Sequence, residues 1–285
     1  MLDPQNLSLP RLPEPLAGLR IAHLTDPHVS TSEADGLRPR FRRMLAELGA
    51  EHRRRPIDLL VFTGDYMSQE GEESAGLRFL REACAAVPLA HRTFGVFGNH
   101  DSDELIDTCL REGSEAPPVS WLPDRAVGLS LRGTTIRLLG LHTSIARWPD
   151  AVRLARNLGS SSTSHRDDPD PPFTLMLCHF PRVLPTAADL GVDLVLSGHT
   201  HGGQICLPGR KPIKNSSSLP NRLTAGRQRH RDTLLCVSRG LGEMTLPFRV
   251  FAPRQLPIYT LTPGPLPPLD ETRPTHARTE LVQRW

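Results

Sequence analysis

Asp58-Leu59-Leu60-Val61-Phe62-Thr63-Gly64-Asp65 sets a near-continuous apolar run against a glycine and a carboxylate. A short run without alternation is the pattern of a strand covered on both faces, as in a parallel sheet with helices outside it. Downstream, Leu77, Leu80, Cys84 and Val87 give the apolar stripe of a helix closed by Pro88, and Thr93 to Phe97 predicts a strand running into Gly98-Asn99-His100-Asp101. Upstream, Leu19 to Thr25 predicts a strand that ends at Asp26-Pro27-His28, since Pro27 cannot donate to a ladder. Between them Leu37, Phe41, Met44, Leu45 and Leu48 predict a helix over 37–55 that stops before Pro56. Strand, polar loop and helix recur three times, so the fold class expected is α/β.

Beyond a helix near Glu104 to Arg111, the segments Ala126–Leu131 and Thr134–Leu141 flank Arg132-Gly133 and predict a hairpin with a two-residue turn. The sheets are therefore expected to be mixed. Phe173–Cys178 and Asp193–Leu196 predict buried strands that end at His179 and at Ser197-Gly198-His199-Thr200-His201, and late strands are expected at Thr233–Val237 and Pro257–Leu261. Gly159 to Pro172 is polar and proline-bearing and reads as a surface excursion. The domain organisation expected is a Pro-rich leader over 1–18, one catalytic domain over 19–262, and a Pro-rich tail over 263–285 with too little apolar content to fold alone.

Composition bounds the chemistry. Of 285 residues 38% are hydrophobic and 23% charged, ample for one sizeable core. The formal charge of +3 is too mild to argue for nucleic acid, and at 5% aromatic content no stacking cluster accompanies the basic residues. Cys84, Cys109, Cys178, Cys206 and Cys236 show no C-x-x-C spacing and read as reduced core thiols. No segment is apolar and long enough for a signal sequence or a membrane span, so the cytoplasm is the expected compartment, with peripheral membrane contact left open.

Polar residues collect just past successive strands: Asp26 and His28, Asp65, Asn99 and His100, His179, then His199 and His201. In alternating sheet folds those strand ends share one crevice, where ligands bind. The two-residue spacing of Asp26-x-His28 and His199-x-His201 puts both side chains of each pair on one side of an extended backbone. Imidazole mixed with carboxylate and amide oxygen suits manganese, iron or zinc, and seven such groups exceed one tetrahedral shell. Two metal ions sharing a carboxylate would use them all, with Asp65 the natural bridge, and would clamp both oxygens of a displacement at phosphorus. Each motif alone is common as a cap or turn; five in this order are not.

The order D-x-H, G-D, G-N-H-D, H and G-H-x-H, from Asp26 to His201, resembles the calcineurin-like metallophosphoesterase superfamily. The resemblance implies a four-layer αββα sandwich and a dinuclear metal-dependent phosphoesterase acting on a phosphodiester or phosphomonoester. It implies one metal on Asp26, His28 and His201, the other on Asn99, His179 and His199, with Asp65 shared and a metal-bridging hydroxide as nucleophile. By the same resemblance His100 is not a ligand but stabilises the phosphoryl group or protonates the leaving group, and Asp101 orients its ring.

The strings HTHGGQI over 199–205, SRGLG over 238–242 and PFRVFAP over 247–253 look like a bacterial branch of phosphodiesterases and phosphatases, and Arg239 is a candidate for substrate binding. His100 stands where the UDP-diacylglucosamine pyrophosphatases usually carry Arg, which argues against close membership there. Alternatives carried forward are a UDP-sugar-lipid pyrophosphatase or phospholipid-headgroup hydrolase and a metal-binding scaffold without catalysis. The expected partner is a phosphorylated small molecule or lipid. Arg210, Lys211, Lys214, Arg222, Arg227, Arg229 and Arg231 lie in a stretch without acidic residues, read either as a solvated loop or as a basic lip over the metal cleft.

Overall fold

Two sheets pack face to face, and every candidate site residue sits in a loop that leaves one of them. The structure is a computed structural model and describes all residues except 34–35, 112, 115, 143–170, 210, 214–223, 267–279 and 284–285. The first sheet has the order β1 (Leu2–Leu9), β14 (Leu256–Pro263), β2 (Arg20–Leu24), β3 (Leu59–Thr63), β4 (Thr93–Val96), β5 (Ser120–Trp121). The second runs β15 (Glu280–Gln283), β12 (Gly226–His230), β13 (Thr233–Val237), β9 (Leu194–Ser197), β8 (Thr174–Cys178), β7 (Thr134–Leu141), β6 (Arg125–Leu131). A small hairpin, β10 (Cys206–Leu207) with β11 (Lys211–Pro212), stands apart.

Strands β2 to β5 are mutually parallel, as are β13, β9, β8 and β7, while β14, β12 and β6 pair antiparallel with β2, β13 and β7. Alternation sorts the side chains. Leu59 and Val61 of β3 join Leu175, Leu177, Leu194, Leu196 and Leu234 between the sheets. Leu60 and Phe62 turn outward onto α1 (Pro39–Arg54), α2 (Glu73–Ala86) and α3 (Asp103–Leu110), through Phe41, Met44, Leu48, Phe79 and Leu105. Met176, Cys178, Val195 and Leu235 turn outward from the second sheet onto α4 (Leu184–Asp189). Both faces of the central strands are covered, which is why they read as unbroken apolar runs. The layers are helix, sheet, sheet, helix, the αββα sandwich expected.

Some elements differ from expectation. The segment read as a leader supplies β1, at the edge of the first sheet and parallel to β14. Pro4 is tolerated there because an edge strand has one unpaired side. The predicted hairpin is present, with Arg132 and Gly133 both at positive φ, as a two-residue hairpin turn of this kind requires. The surface excursion over 159–172 and the tail after 266 lie largely outside the described residues; within the tail Glu280–Gln283 pairs with β12. No helix of the described residues is long and apolar enough to cross a membrane.

Candidate metal centre

The loops after β2 and β3 leave the first sheet, those after β8 and β9 leave the second, and backbone bonds strap them beside one another. Asp26 N donates to Gly64 O at 3.0 Å, His28 N to Asp65 O at 3.2 Å, and Gly198 N to His179 O at 3.2 Å. The extended backbone expected for the two paired motifs is not what forms. Asp26, His28, Asp65, His199 and His201 all have positive φ, between 43° and 71°. Such residues disfavour that region by roughly 1–2 kcal/mol each, so the convergence of the pairs comes from left-handed kinks that the surrounding bonds enforce.

Two glycines make room for the carboxylates. A β-carbon on Gly198 would fall on the Asp26 carboxylate and on Thr25 Oγ1, and one on Gly98 would fall on the Asp65 carboxylate. Asp26 accepts from His199 N at 2.9 Å and from Thr25 Oγ1 at 2.7 Å. Behind it, Leu241 N reaches Thr25 O at 3.1 Å and Gly242 N reaches Asp26 O at 2.7 Å, so the SRGLG string serves as the back wall of this loop.

Six side chains gather into two buried groups able to hold a metal ion, Asp26 with His28 and His201, and Asp65 with His179 and His199. Within each group the donor atoms lie within 4.8 Å of one another. Asp65 Oδ2 is 3.1 Å from His179 Nε2 and 3.4 Å from His28 Nε2, so one oxygen faces both groups, while Oδ1 accepts from His100 N at 2.9 Å. Asn99 is exposed and lines, with His100, a cleft of about 640 Å³ whose wall includes Ser68, Glu70, Glu73 and Asp103.

The calcineurin-like phosphoesterase family model matches residues 19–203, which span every one of these donors. The chain belongs to that family. Its relatives include the uncharacterized metallophosphoesterase YkuE of Bacillus subtilis, 29% identical over 72% of this chain and 68% of that protein. The UDP-2,3-diacylglucosamine pyrophosphatase LpxG of Chlamydia muridarum is 27% identical over 90% and 89%. Phosphodiesterase YaeI of Escherichia coli is 26% identical over 66% and 64%. The NAD nucleotidase NadN of Haemophilus influenzae shares the fold, with a TM-score of 0.50 at 12% identity over 78% of this chain and 45% of its own. This phosphoesterase is thus a hydrolase.

The phosphoesterase departs from expectation at Asp101. The His100 ring is held through Nδ1 by Ser68 O at 2.9 Å, not by Asp101. Asp101 instead accepts Gly98 N at 2.7 Å and Asp65 N at 2.9 Å on Oδ2, and Tyr66 N at 2.7 Å on Oδ1, pinning the two glycine-bearing loops together. Arg239, expected to reach substrate, is only 6% exposed; its stem packs against Gly202 and its Nε donates to Pro253 O at 2.7 Å. Of the basic lip, Arg210, Lys214 and Arg222 lie outside the described residues. Arg227 and Arg229 belong to β12, and Arg231 pairs with Asp189 at 2.8 Å at the end of β12 away from the metal centre.

Burial and mutual charge act on these groups in opposite directions. Burial raises the Asp26 carboxyl above its ordinary range against the pull of His179. Asp65 meets the same burial, but His179 and His28 outweigh it and hold that carboxyl well below the usual range. Burial would lower His179, yet Asp65 and Asp26 raise it to about 9. His201 is held well below its ordinary value by burial, with His28 and Arg249 adding to the effect. Burial, with Asp65 beside it, raises Asp101 to about 7.

Three supporting groups have no signature in the sequence. Thr63 O accepts from His179 Nδ1 at 2.7 Å, which leaves Nε2 free to face Asp65. Thr63 Oγ1 is in turn bonded at 2.7 Å to Nε2 of His23, a fully buried imidazole between the sheets whose pKa burial lowers to about 3. Arg249 lies 3.1 Å from His201 Nδ1 and donates to His201 O at 3.1 Å and to Gly242 O at 2.9 Å, tying the His201 turn to the SRGLG loop. The PFRVFAP string contains Arg249, but only the fold shows its partner.

Proposed function

We propose that this phosphoesterase hydrolyses a phosphodiester, phosphomonoester or pyrophosphate bond in a phosphorylated small molecule or lipid, using two metal ions. Asp26, His28 and His201 would hold one ion, His179, His199 and Asn99 the other, with Asp65 between them. The position of Asp65 Oδ2, within 3.4 Å of an imidazole from each group, carries this reading. Buried imidazoles with carboxylates fit manganese, iron or zinc better than magnesium or calcium. Bound there, two such cations would lower the pKa of water and clamp the attacking and departing oxygens of an in-line displacement.

The rest falls to the side chains. His100 lines the cleft, and its Nδ1–H stays on Ser68 O, so Nε2 would give a proton to the departing oxygen from the imidazolium form, which carries a hydrogen on both ring nitrogens. Asp101 keeps the Gly98 and Asp65 loops at the spacing that the shared carboxylate needs. A pyrophosphate in a nucleotide-linked lipid is the more specific substrate reading, supported by likeness to LpxG over 90% of this chain.

The test is hydrolysis of bis-p-nitrophenyl phosphate, p-nitrophenyl phosphate and a UDP-linked diacylated sugar by metal-stripped protein, with and without manganese. Manganese-dependent turnover of any of them supports catalysis, and the order of rates assigns the substrate class. Protein that takes up two metals per chain and cleaves none of the three is the scaffold alternative.

A further inference from the structure

Seven large apolar side chains are well exposed among the described residues. Five of them, Leu207 (54%), Ile213 (60%), Leu246 (44%), Phe248 (50%) and Phe251 (55%), belong to two adjoining segments beside the metal centre. Single exposed apolar residues need no explanation, but five on one flange do. The segments are stitched together: Cys206 N donates to Val250 O at 2.9 Å, Val250 N to Gln204 O at 3.0 Å, and Ile213 N to Ile205 O at 3.1 Å. The Gln204 amide also bonds Met244 O at 2.8 Å and Leu246 O at 3.0 Å. One segment leaves the His201 turn directly, and the other contains Arg249, which touches His201. The flange is therefore fixed to the site.

Charge selects the occupant. Residues 204–214 and 244–254 contain Arg210, Lys211, Lys214, Arg249 and Arg254 and no Asp or Glu. Arg249 turns inward to His201 and Arg254 pairs with Glu243, while Lys211 is exposed beside Leu207 and Ile213. Rings and branched alkyl groups beside the exposed Lys211 ammonium, with the neighbouring Glu243 carboxylate buried in its pairs with Arg40 and Arg254, fit the boundary of an anionic bilayer, where apolar groups enter the acyl edge and ammonium groups meet headgroup phosphates. A second copy of the chain fits less well, because a two-fold contact would set the same cations against each other.

We infer that this flange docks the protein on the surface of an anionic lipid bilayer, with the metal centre held at headgroup level. The inference stands apart from the catalytic reading, because its test measures binding without turnover. Full-length protein is sedimented with phosphatidylglycerol–phosphatidylcholine vesicles and with phosphatidylcholine vesicles, at low and high salt. Wild type pellets with the anionic vesicles and retains part of that binding at high salt. F248S/F251S loses about tenfold or more in partition while keeping the wild-type circular dichroism spectrum. K211E weakens binding to the anionic vesicles alone. Should F248S/F251S fail to fold, L207S/I213S in the other segment replaces it, with the same loss expected.

Absence of wild-type pelleting, complete release by salt, or unchanged partition of the folded double variant overturns the inference. So does a concentration-dependent dimer in ultracentrifugation that the double variant abolishes while vesicle binding is absent, which would assign the flange to a second copy.

Discussion

Asp101 and Asp65 are joined through backbone rather than charge: Oδ2 of Asp101 accepts the Asp65 amide at 2.9 Å, and the Asp65 carboxylate turns the other way, toward His28 and His179. Asp101 accepts with both oxygens, whereas an asparagine has one acceptor and would turn an NH2 toward at least one amide. Asp101→Asn is expected to lose about 2–3 kcal/mol of stability and about 10- to 100-fold in metal affinity. Urea titration and metal analysis check this. Because Asp101 does not touch the His100 ring, relative rates on good and poor leaving groups should stay at the wild-type ratio. A variant with normal stability and metal content and an altered ratio would restore the ring-orienting role.

Removing the shared carboxylate should separate metal loss from proton-transfer loss. Asp65→Ala is expected to bind less than one metal ion per chain and to lose more than about 10³-fold in turnover. His100→Ala should keep its metals and fold and lose about 10²- to 10⁴-fold on a poor leaving group, with a smaller loss on p-nitrophenolate. Metal analysis beside the two rates decides. Equal metal loss in both variants would make His100 part of the donor set.

Gly198→Ala tests close approach. A β-carbon there meets the Asp26 carboxylate and Thr25, both buried and bonded, so neither can move away without cost. The expected loss is about 2–3 kcal/mol with impaired metal uptake. Thermal unfolding at wild-type midpoint, with full metal content, would contradict the packing.

Asp193 supplies a pH dependence remote from the metals. It is 6% exposed, accepts Thr174 N at 2.7 Å and faces Arg11 at 3.6 Å, and burial raises it to about 6. The folded chain therefore takes up this proton as pH falls through about 6, before the unfolded chain does at its ordinary value. This group's contribution to stability falls as pH rises from about 4 to 6 and is constant above that, a change of up to about 3 kcal/mol. Asp193→Asn should lack that slope. Urea midpoints of both metal-free proteins across pH 4 to 7 check it, and parallel curves would contradict it.

Much of this was legible because the central strands are covered on both faces, so Asp58–Phe62 and Phe173–Cys178 could be placed within a residue or so. Less legible were the edges. β1 hides behind prolines that only an edge strand accepts, and β12 hides behind arginines, of which Arg227 is nonetheless buried against β13. The donor residues could be listed in order, but not their backbone: only glycine advertises positive φ, and here Asp and His adopt it. Arg249 and His23 were out of reach, since each acts through a partner some forty or more residues away.

Each donor group takes from both layers: Asp26 and His28 belong to the first sheet and His201 to the second, while Asp65 belongs to the first and His179 and His199 to the second. An ion seated in either group would act as a rivet through the sandwich. Neither half of the chain contains a full socket: a nascent chain that ends after β7 has Asp26, His28 and Asp65 but lacks His179, His199 and His201, which complete the two groups. Metal uptake during refolding would then report the moment at which the two layers close.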